Sequence, residues 1–428
     1  MLFACAKKAS PPRERPAPTI SIEDERTFPQ DLQYYAKQAG ADKRLLTDAE
    51  QAQANTHFLS VFFGSWEMSS GRTKGSEALI RRARGYKLGG SRWTQGEWDE
   101  IVDNAGMERF PSMASPAIVV RNTDLREIPT HKPRYDKPIV DGVTYPFDDF
   151  QYSLLPIGLP VFVTHVSNDK HWYFVETPIA AGWVVANDIV PVDDAFIAEW
   201  KSYPQGALIK DSVSVPTVGT PLNVGTVLPL IAQKKNKVTL LVPVRDRNGR
   251  ASSAKVSVPA NAVARKPLPL TPGNMARIMQ ELHGQRYGWG GMYGLRDCSA
   301  TTHDLLVPFG IWLPRNSRNQ AKVGHVVSLA GLGHSEKEAL IKAVGVPFLS
   351  LIGLPGHITM YVGTHAGRVA ILHNTWGVRT IEGDNEDARH VIGKTVVTSL
   401  TPGYELPNLY RKRSFIDRVR ALATPGIR

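Results

Sequence analysis

Two cysteines occur in 428 residues, and one of them, Cys298, has neighbours that suit thiol chemistry. It lies in Asp297-Cys298-Ser299, directly behind the glycine-rich Tyr287-Gly288-Trp289-Gly290-Gly291. Thr302, Leu305, Leu306 and Phe309 follow at helical spacing, so the thiol stands at a helix N-terminus. There the helix dipole and unpaired amides favour thiolate and draw a cysteine pKa down from about 8.5. A buried, inert cysteine is the plainer alternative, and the flanking Asp, Ser and glycines speak for an accessible one. A thiolate nucleophile needs a base. Gly356-His357-Ile358-Thr359-Met360-Tyr361-Val362-Gly363 alternates as a strand with His357, Thr359 and Tyr361 on one face. A second strand, Val369 to Asn374, carries His373. A hairpin turn centred on His365 would set His373 opposite His357, so that one imidazole orients the other. Nucleophile, base and orienter are together the apparatus of attack on an acyl carbon. The same trio could hold a metal, but no paired-ligand spacing accompanies it, and neither a metal nor a cofactor is expected. His303, His325, His334 and His365 read as surface or packing residues.

Elements must hold these groups in place. Residues 1–24, with Pro11, Pro12, Pro16 and Pro18 among scattered charges, read as a tether or a remnant lipoprotein signal. Residues 25–113 are helical in period, with Leu32, Tyr35 and Ala36 on one face and Ile80 after a turn rich in Gly and Ser. Their aromatics Phe58, Phe62, Phe63 and Trp66 are spaced as core rather than as a sugar platform. Short β runs fill 114–200 and 201–265, separated at Tyr203-Pro204-Gln205-Gly206, and suit two small barrels. Lys234, Lys235 and Lys237 fit a solvated hairpin tip better than a polymer-binding patch. Lys266-Pro267-Leu268-Pro269-Leu270-Thr271-Pro272 is a stiff linker into a last domain over 266–410, which opens on an amphipathic helix bearing Met275, Ile278, Met279 and Leu282. Arg411-Lys412-Arg413 begins a basic segment, 411–428, whose Phe415, Ile416, Val419 and Leu422 predict a helix docked on the domain rather than on a membrane.

In order and spacing, the pieces around Cys298 resemble the NlpC-type cell-wall endopeptidases, a papain-like family. They are Tyr287 to Gly291, Asp297-Cys298-Ser299, Leu313-Pro314-Arg315-Asn316-Ser317 with Gln320-Ala321, and His357 to Gly363 followed by His373. The match spans about 270–400, and what precedes it resembles a multidomain branch of that family. The fold class implied is α+β: a papain-like NlpC-type domain preceded by an N-terminal helical region and two small all-β Src-homology-3-like barrels. The resemblance implies Cys298 as nucleophile, His357 as base, His373 as orienter and Tyr287 near the oxyanion. It places Asp297 and Ser299 along the acyl side, with Asp297 and Ser317 near a free N-terminal L-alanine. A share from the first barrel is implied too, for which Asp148, Asp149 and Tyr152 are candidates beside plain structural roles. The bond implied is that between γ-D-glutamate and the diamino acid diaminopimelate in murein stem peptides. Two departures stand out: a helix-like insertion from Ser335 to Val344, and a sixteen-residue step from His357 to His373 that leaves Asn374 as a rival orienter.

A formal charge of +11 suits anionic surroundings, wall polymers among them, without choosing one. Hydrophobic residues make up 42%, enough for packed cores, and no run of about eighteen apolar residues occurs, as a membrane-spanning helix would need. Met1-Leu2-Phe3-Ala4-Cys5 is similar to the end of a lipoprotein signal, so Cys5 is a candidate lipidation site or else an incidental cysteine. The expectation is a monomer of the cell envelope or periplasm, acting on peptidoglycan or murein peptides and not on nucleic acid, with membrane attachment through a lipidated Cys5. A non-catalytic wall-binding module and a thiol acyltransferase are the competing readings.

Overall fold

The computed structural model describes residues 21–73, 84–138 and 146–426, so Cys5 and Ile80 lie outside the described residues. Among the described residues four helices come first: α1 (Asp24–Thr27), α2 (Leu32–Gln38), α3 (Asp48–Phe62) and α4 (Gln95–Ala105). Reciprocal capping boxes start two of them, Thr47 with Glu50 on α3 and Thr94 with Glu97 on α4. The apolar faces of this region serve other cores. Leu32, Tyr35 and Ala36 pack with the C-terminal domain, Phe58 and Phe62 with the first barrel, Trp66 with the second and Trp98 with the far side of the first. The aromatic cluster is core, as its spacing predicts, but the core belongs to the neighbours.

The first barrel is built from β1 (Ser115–Val119), β2 (Thr123–Arg126), β3 (Gln151–Leu155), β4 (Pro160–Val166), β5 (Trp172–Glu176), β6 (Ala181–Val185) and β7 (Ile189–Pro191), in the order β3-β2-β6-β5-β4-β1-β7. Helix α5 (Asp194–Ser202) leads into the second, made of β8 (Gln205–Leu208), β9 (Val227–Gln233), β10 (Lys237–Arg245), β11 (Ala251–Pro259) and β12 (Val263–Arg265), in the order β11-β10-β9-β8-β12. Lys234, Lys235 and Lys237 are exposed at the β9–β10 tip.

The C-terminal domain contains α6 (Pro272–Leu282), α7 (Cys298–Leu306), α8 (Ser317–Gln320), β13 (His325–Ser328), α9 (His334–Val344), β14 (Leu351–Leu354), β15 (His357–His365), β16 (Arg368–Glu382), β17 (Asn385–Thr398), α10 (Phe415–Arg418) and β18 (Ala421–Thr424). Its antiparallel sheet runs β13-β18-β14-β15-β16-β17. Alternation along β15 sends Ile358, Met360 and Val362 into the core shared with α6, while Tyr361 joins Val369 and Ile371 in a second core with α9. Both faces of the sheet are covered, which is why β15 is buried from His357 to Val362.

The expected C-terminal helix over 411–428 is corrected here. Helix α10 lasts four residues, and the chain then enters β18, where Leu422 lies between Ile352 of β14 and Val327 of β13. Two strands that lack a partner between them offer more backbone hydrogen bonds than an exposed last turn of helix, and pairing overrides the helical period. The domain therefore does not close at residue 410, because its sheet includes residues 421–424.

Candidate active site

Cys298 is the first residue of α7, and Asp297 caps that helix by accepting from the Ala300 amide at 2.8 Å. The address is the one its sequence predicts, but the ionisation is not. Cys298 is 7% exposed, and burial, with the Asp297 carboxylate adding to it, pushes the thiol up to about 12. Amides of Ile358 and Ser299 donate toward the sulfur and oppose this without prevailing. The structure thus departs from the expected accessible thiol: Cys298 is buried, and burial opposes the acidifying effect of the helix N-terminus.

Asp297 is held by more than its helix. Arg315 donates to both its oxygens, at 3.0 and 2.7 Å, and the Gly290 amide and Ser299 hydroxyl reach it at 3.1 Å each. With the Ala300 amide, five donors converge on two oxygens and leave little acceptor capacity free. Arg315 also donates to Ser299 Oγ at 2.9 Å and, through Nε, to Ser153 Oγ of β3 at 2.8 Å. The sequence showed Arg315 only as part of a motif. Its central place could have been suspected from Asp297, since a buried carboxylate needs a cation. Ser317 opens α8, whose Gln320 donates to the Ser299 carbonyl at 2.8 Å and accepts from Thr302 Oγ1 at 2.6 Å, tying α8 to the start of α7.

The two histidines meet, though not as directly opposed residues. Met360 pairs with Leu372, so His373 faces Thr359 and not His357. The hairpin turns at Ala366-Gly367, both at positive φ, rather than on His365, and a bulge between Tyr361 and Gly363 takes back one residue of that shift. His357 and His373 are then diagonal neighbours on one face, and Nε2 of His357 lies 2.9 Å from Nδ1 of His373. His373 Nε2 is 3.1 Å from the Thr398 hydroxyl, which donates to the Ser399 carbonyl at 2.8 Å. With the Thr398 proton given to the Ser399 carbonyl, the arrangement has His373 Nε2 donating to Thr398, its Nδ1 accepting, and His357 carrying its proton on Nε2 with Nδ1 bare. Burial, followed by the charge of Arg418, lowers His357 to about 3, and burial keeps His373 well below the ordinary range. Phe415 covers both rings at 5.2 and 5.3 Å. Asn374 donates instead to the Arg296 carbonyl at 2.8 Å, so His373 and not Asn374 contacts His357.

The glycine-rich loop is shaped by the first barrel. Gly290 and Gly291 have φ of 56° and 84°, and a Cβ on either would come within 2.7 Å of Gln151 or 2.6 Å of Leu154 on β3. Gln151 donates to the Gly290 carbonyl at 3.0 Å, and Trp289 Nε1 donates to the Asp148 carbonyl at 2.9 Å. Tyr287 precedes this loop, and burial together with the charges of Cys298 and Asp297 raises its phenol well above the ordinary range, so it keeps its proton. Asp148 is spent inside the barrel on Arg126 at 2.6 Å. Asp149 pairs with Arg134 at 2.6 Å and is pushed up to about 6 by burial. Tyr152, also on β3, is 40% exposed. Behind α7, Arg296 is buried against Asp211 at 2.8 Å and Asp304 at 2.7 Å, a link to the second barrel that the sequence did not suggest. Among the described residues, no three His, Cys, Asp or Glu side chains converge as metal ligands would.

Comparison with known proteins finds three family models along the chain: the NLPC_P60 stabilising domain, N term, over residues 1–110, the SH3 domain (SH3b1 type) over 133–185, and the NlpC/P60 family over 284–388. A solved NlpC/P60 endopeptidase from Photobacterium damselae subsp. piscicida is similar across 95% of this chain and 99% of its own, with 25% identity and a TM-score of 0.85. An NlpC/P60 family protein from Bacillus cereus matches 72% of this chain and 99% of its own at 17% identity and a TM-score of 0.47. No curated protein matches.

Proposed function

Because the chain belongs to the NlpC/P60 family, with an SH3b domain and an N-terminal stabilising domain, and is thereby a peptidoglycan hydrolase, we propose that it cleaves the γ-D-glutamyl to diaminopimelate bond of murein stem peptides. Cys298 is the nucleophile, His357 the base and His373 the orienter. The observation that carries this reading is the hydrogen-bonded chain from His357 through His373 to Thr398, which leaves Nδ1 of His357 as proton acceptor.

With thiol and imidazole both neutral at rest, the proton leaves sulfur as the sulfur attacks. Nδ1 of His357 takes it while the S–C bond forms at the γ-carbonyl, and the resulting imidazolium is steadied through Nε2 by His373. The amide of Cys298, one of the donors that a helix start leaves unpaired, and the protonated Tyr287 hydroxyl receive the oxyanion. His357 returns the proton to the leaving amine as the C–N bond breaks. Water then gives a proton to the same nitrogen, attacks the thioester and releases the γ-glutamyl acid and the free thiol.

The family resemblance supports a demand for a free N-terminal L-alanine. Asp297 would meet that amine only by exchanging one of its present donors, with Ser317 nearby on α8. We place the protein in the cell envelope as a monomer, with Cys5 as a candidate for lipidation. Mass spectrometry of L-alanyl-γ-D-glutamyl-diaminopimelate, incubated with the wild type and with Cys298→Ala, tests the reading. Cleavage by the wild type alone, lost when the peptide is N-acetylated, is expected. Intact peptides alongside continued binding to sacculi would instead favour a wall-binding module.

A further inference from the structure

Helix α10 lies outside the span matched by the NlpC/P60 model, yet it closes one side of the site. Phe415 packs on both histidine rings, and Arg418, three residues on, shares its side of the turn. The Arg418 guanidinium donates to the Pro355 carbonyl, two residues before His357. The segment is fixed from below by the insertion helix α9. Lys337, 3% exposed, donates to the Ile416 carbonyl at 2.7 Å, and His334 Nε2 lies 2.6 Å from Asp417. The charges acting on Arg418 are those of Arg379, Arg413 and Arg420, all positive, and among the described residues no carboxylate pairs with it. A half-buried guanidinium in a crowd of like charges is costly unless an anion joins it.

We propose that Arg418 forms a carboxylate subsite for the leaving half of the substrate, on the His357 side of the scissile bond. The inference rests on the endopeptidase reading above. Diaminopimelate fits the chemistry, since the molecule that leaves with its amine also carries two carboxyl groups. One sits on the carbon next to the new amine and the other at the far end of the side chain. A planar guanidinium suits either.

The experiment measures kcat/KM on three peptides, L-alanyl-γ-D-glutamyl joined to diaminopimelate, to diaminopimelate amidated at the distal carboxyl, and to lysine with its carboxyl amidated, using the wild type, Arg418→Gln and Arg418→Lys. Glutamine keeps a donor for the Pro355 carbonyl while removing the charge. The wild type is expected to favour the peptide with both carboxylates by about tenfold or more over the one with neither, the scale of a charged hydrogen bond. Arg418→Gln should bring that ratio to within about twofold, and Arg418→Lys should restore part of it. The peptide amidated only at the distal group identifies which carboxylate is read. Equal rates of the wild type on all three, or an equal loss on all three in Arg418→Gln, would overturn the subsite. Should no peptide be cleaved, the endopeptidase reading fails, and calorimetric binding of free diaminopimelate to wild type against Arg418→Gln still decides the subsite.

Discussion

The first barrel sends β3 against the glycine-rich loop ahead of Cys298, whereas the second meets the same domain behind α7, at Arg296. At the front, the contacts are single hydrogen bonds and close backbone approach: Gln151 to Gly290, Trp289 to Asp148, Arg315 to Ser153. At the back there is a buried, bidentate ion pair between Arg296 and Asp211. Two modules of similar size thus load the site differently. One shapes the cleft wall, where small shifts change chemistry, and the other braces the helix that carries the thiol, where loss of a partner strands charge.

The sharpest way to break this comparison is Arg296→Met, which leaves Asp211 and Asp304 facing an apolar side chain. It should lower the unfolding free energy in urea by about 3–5 kcal/mol, with activity falling only as the folded fraction falls. A selective loss of turnover at unchanged stability would assign catalysis to the second barrel instead. Next comes Gly291→Ala, whose new Cβ meets the Leu154 amide nitrogen at 2.6 Å from a backbone at φ 84°. The strain is about 1–3 kcal/mol, and because the loop lines the cleft, kcat/KM should drop about tenfold or more in folded protein. Full activity would separate the first barrel from the cleft.

Acid offers a third probe, because the first barrel contains a buried histidine, His165, and residues 201–265 contain no histidine. Burial lowers His165, which contacts Ser112 and the Ala105 carbonyl. A depressed folded pKa means that the unfolded chain binds the proton first, so the stability His165 contributes is present above about 6.5 and is lost as pH falls below it. Asp124 and Asp149 are raised and act in the opposite sense, so the quantity to follow is the difference between wild type and His165→Gln. That difference should shrink by up to about 1.4 kcal/mol per pH unit below 6.5, until His165 titrates in the folded protein. A pH-independent difference would show that His165 titrates in the fold as it does in the unfolded chain. The smallest effect expected is that of Lys235→Gln at the exposed second-barrel tip, within about 0.5 kcal/mol of wild type.

The readable parts of the sequence were those where local pattern and tertiary demand agree. The α6 stripe of Met275, Ile278, Met279 and Leu282 is wholly buried, and the helix N-terminus at Cys298 has its Asp297 cap. The meeting of His357 and His373 could be expected from the hairpin, but its register could not, since a bulge and a turn at Ala366-Gly367 shift the pairing without a strong signal. At Cys298 the helix end that favours thiolate is visible in sequence, and the burial that pushes the thiol the other way is not. Arg315, Arg296 and Arg418 stayed hidden for the same reason: each works through partners supplied by distant segments. The C-terminal strand was missed because its apolar residues fit a helix until β13 and β14 are placed on either side.

That strand also ties distant parts of the chain together. Residues 421–424 fill a gap between segments made about seventy and a hundred residues earlier, and Phe415, just ahead of them, covers the paired imidazoles. A chain lacking residues 421–424 would keep Cys298, His357 and His373 and lose the strand that joins β13 to β14, so the sheet that positions the histidines is completed by a segment far in sequence from the thiol.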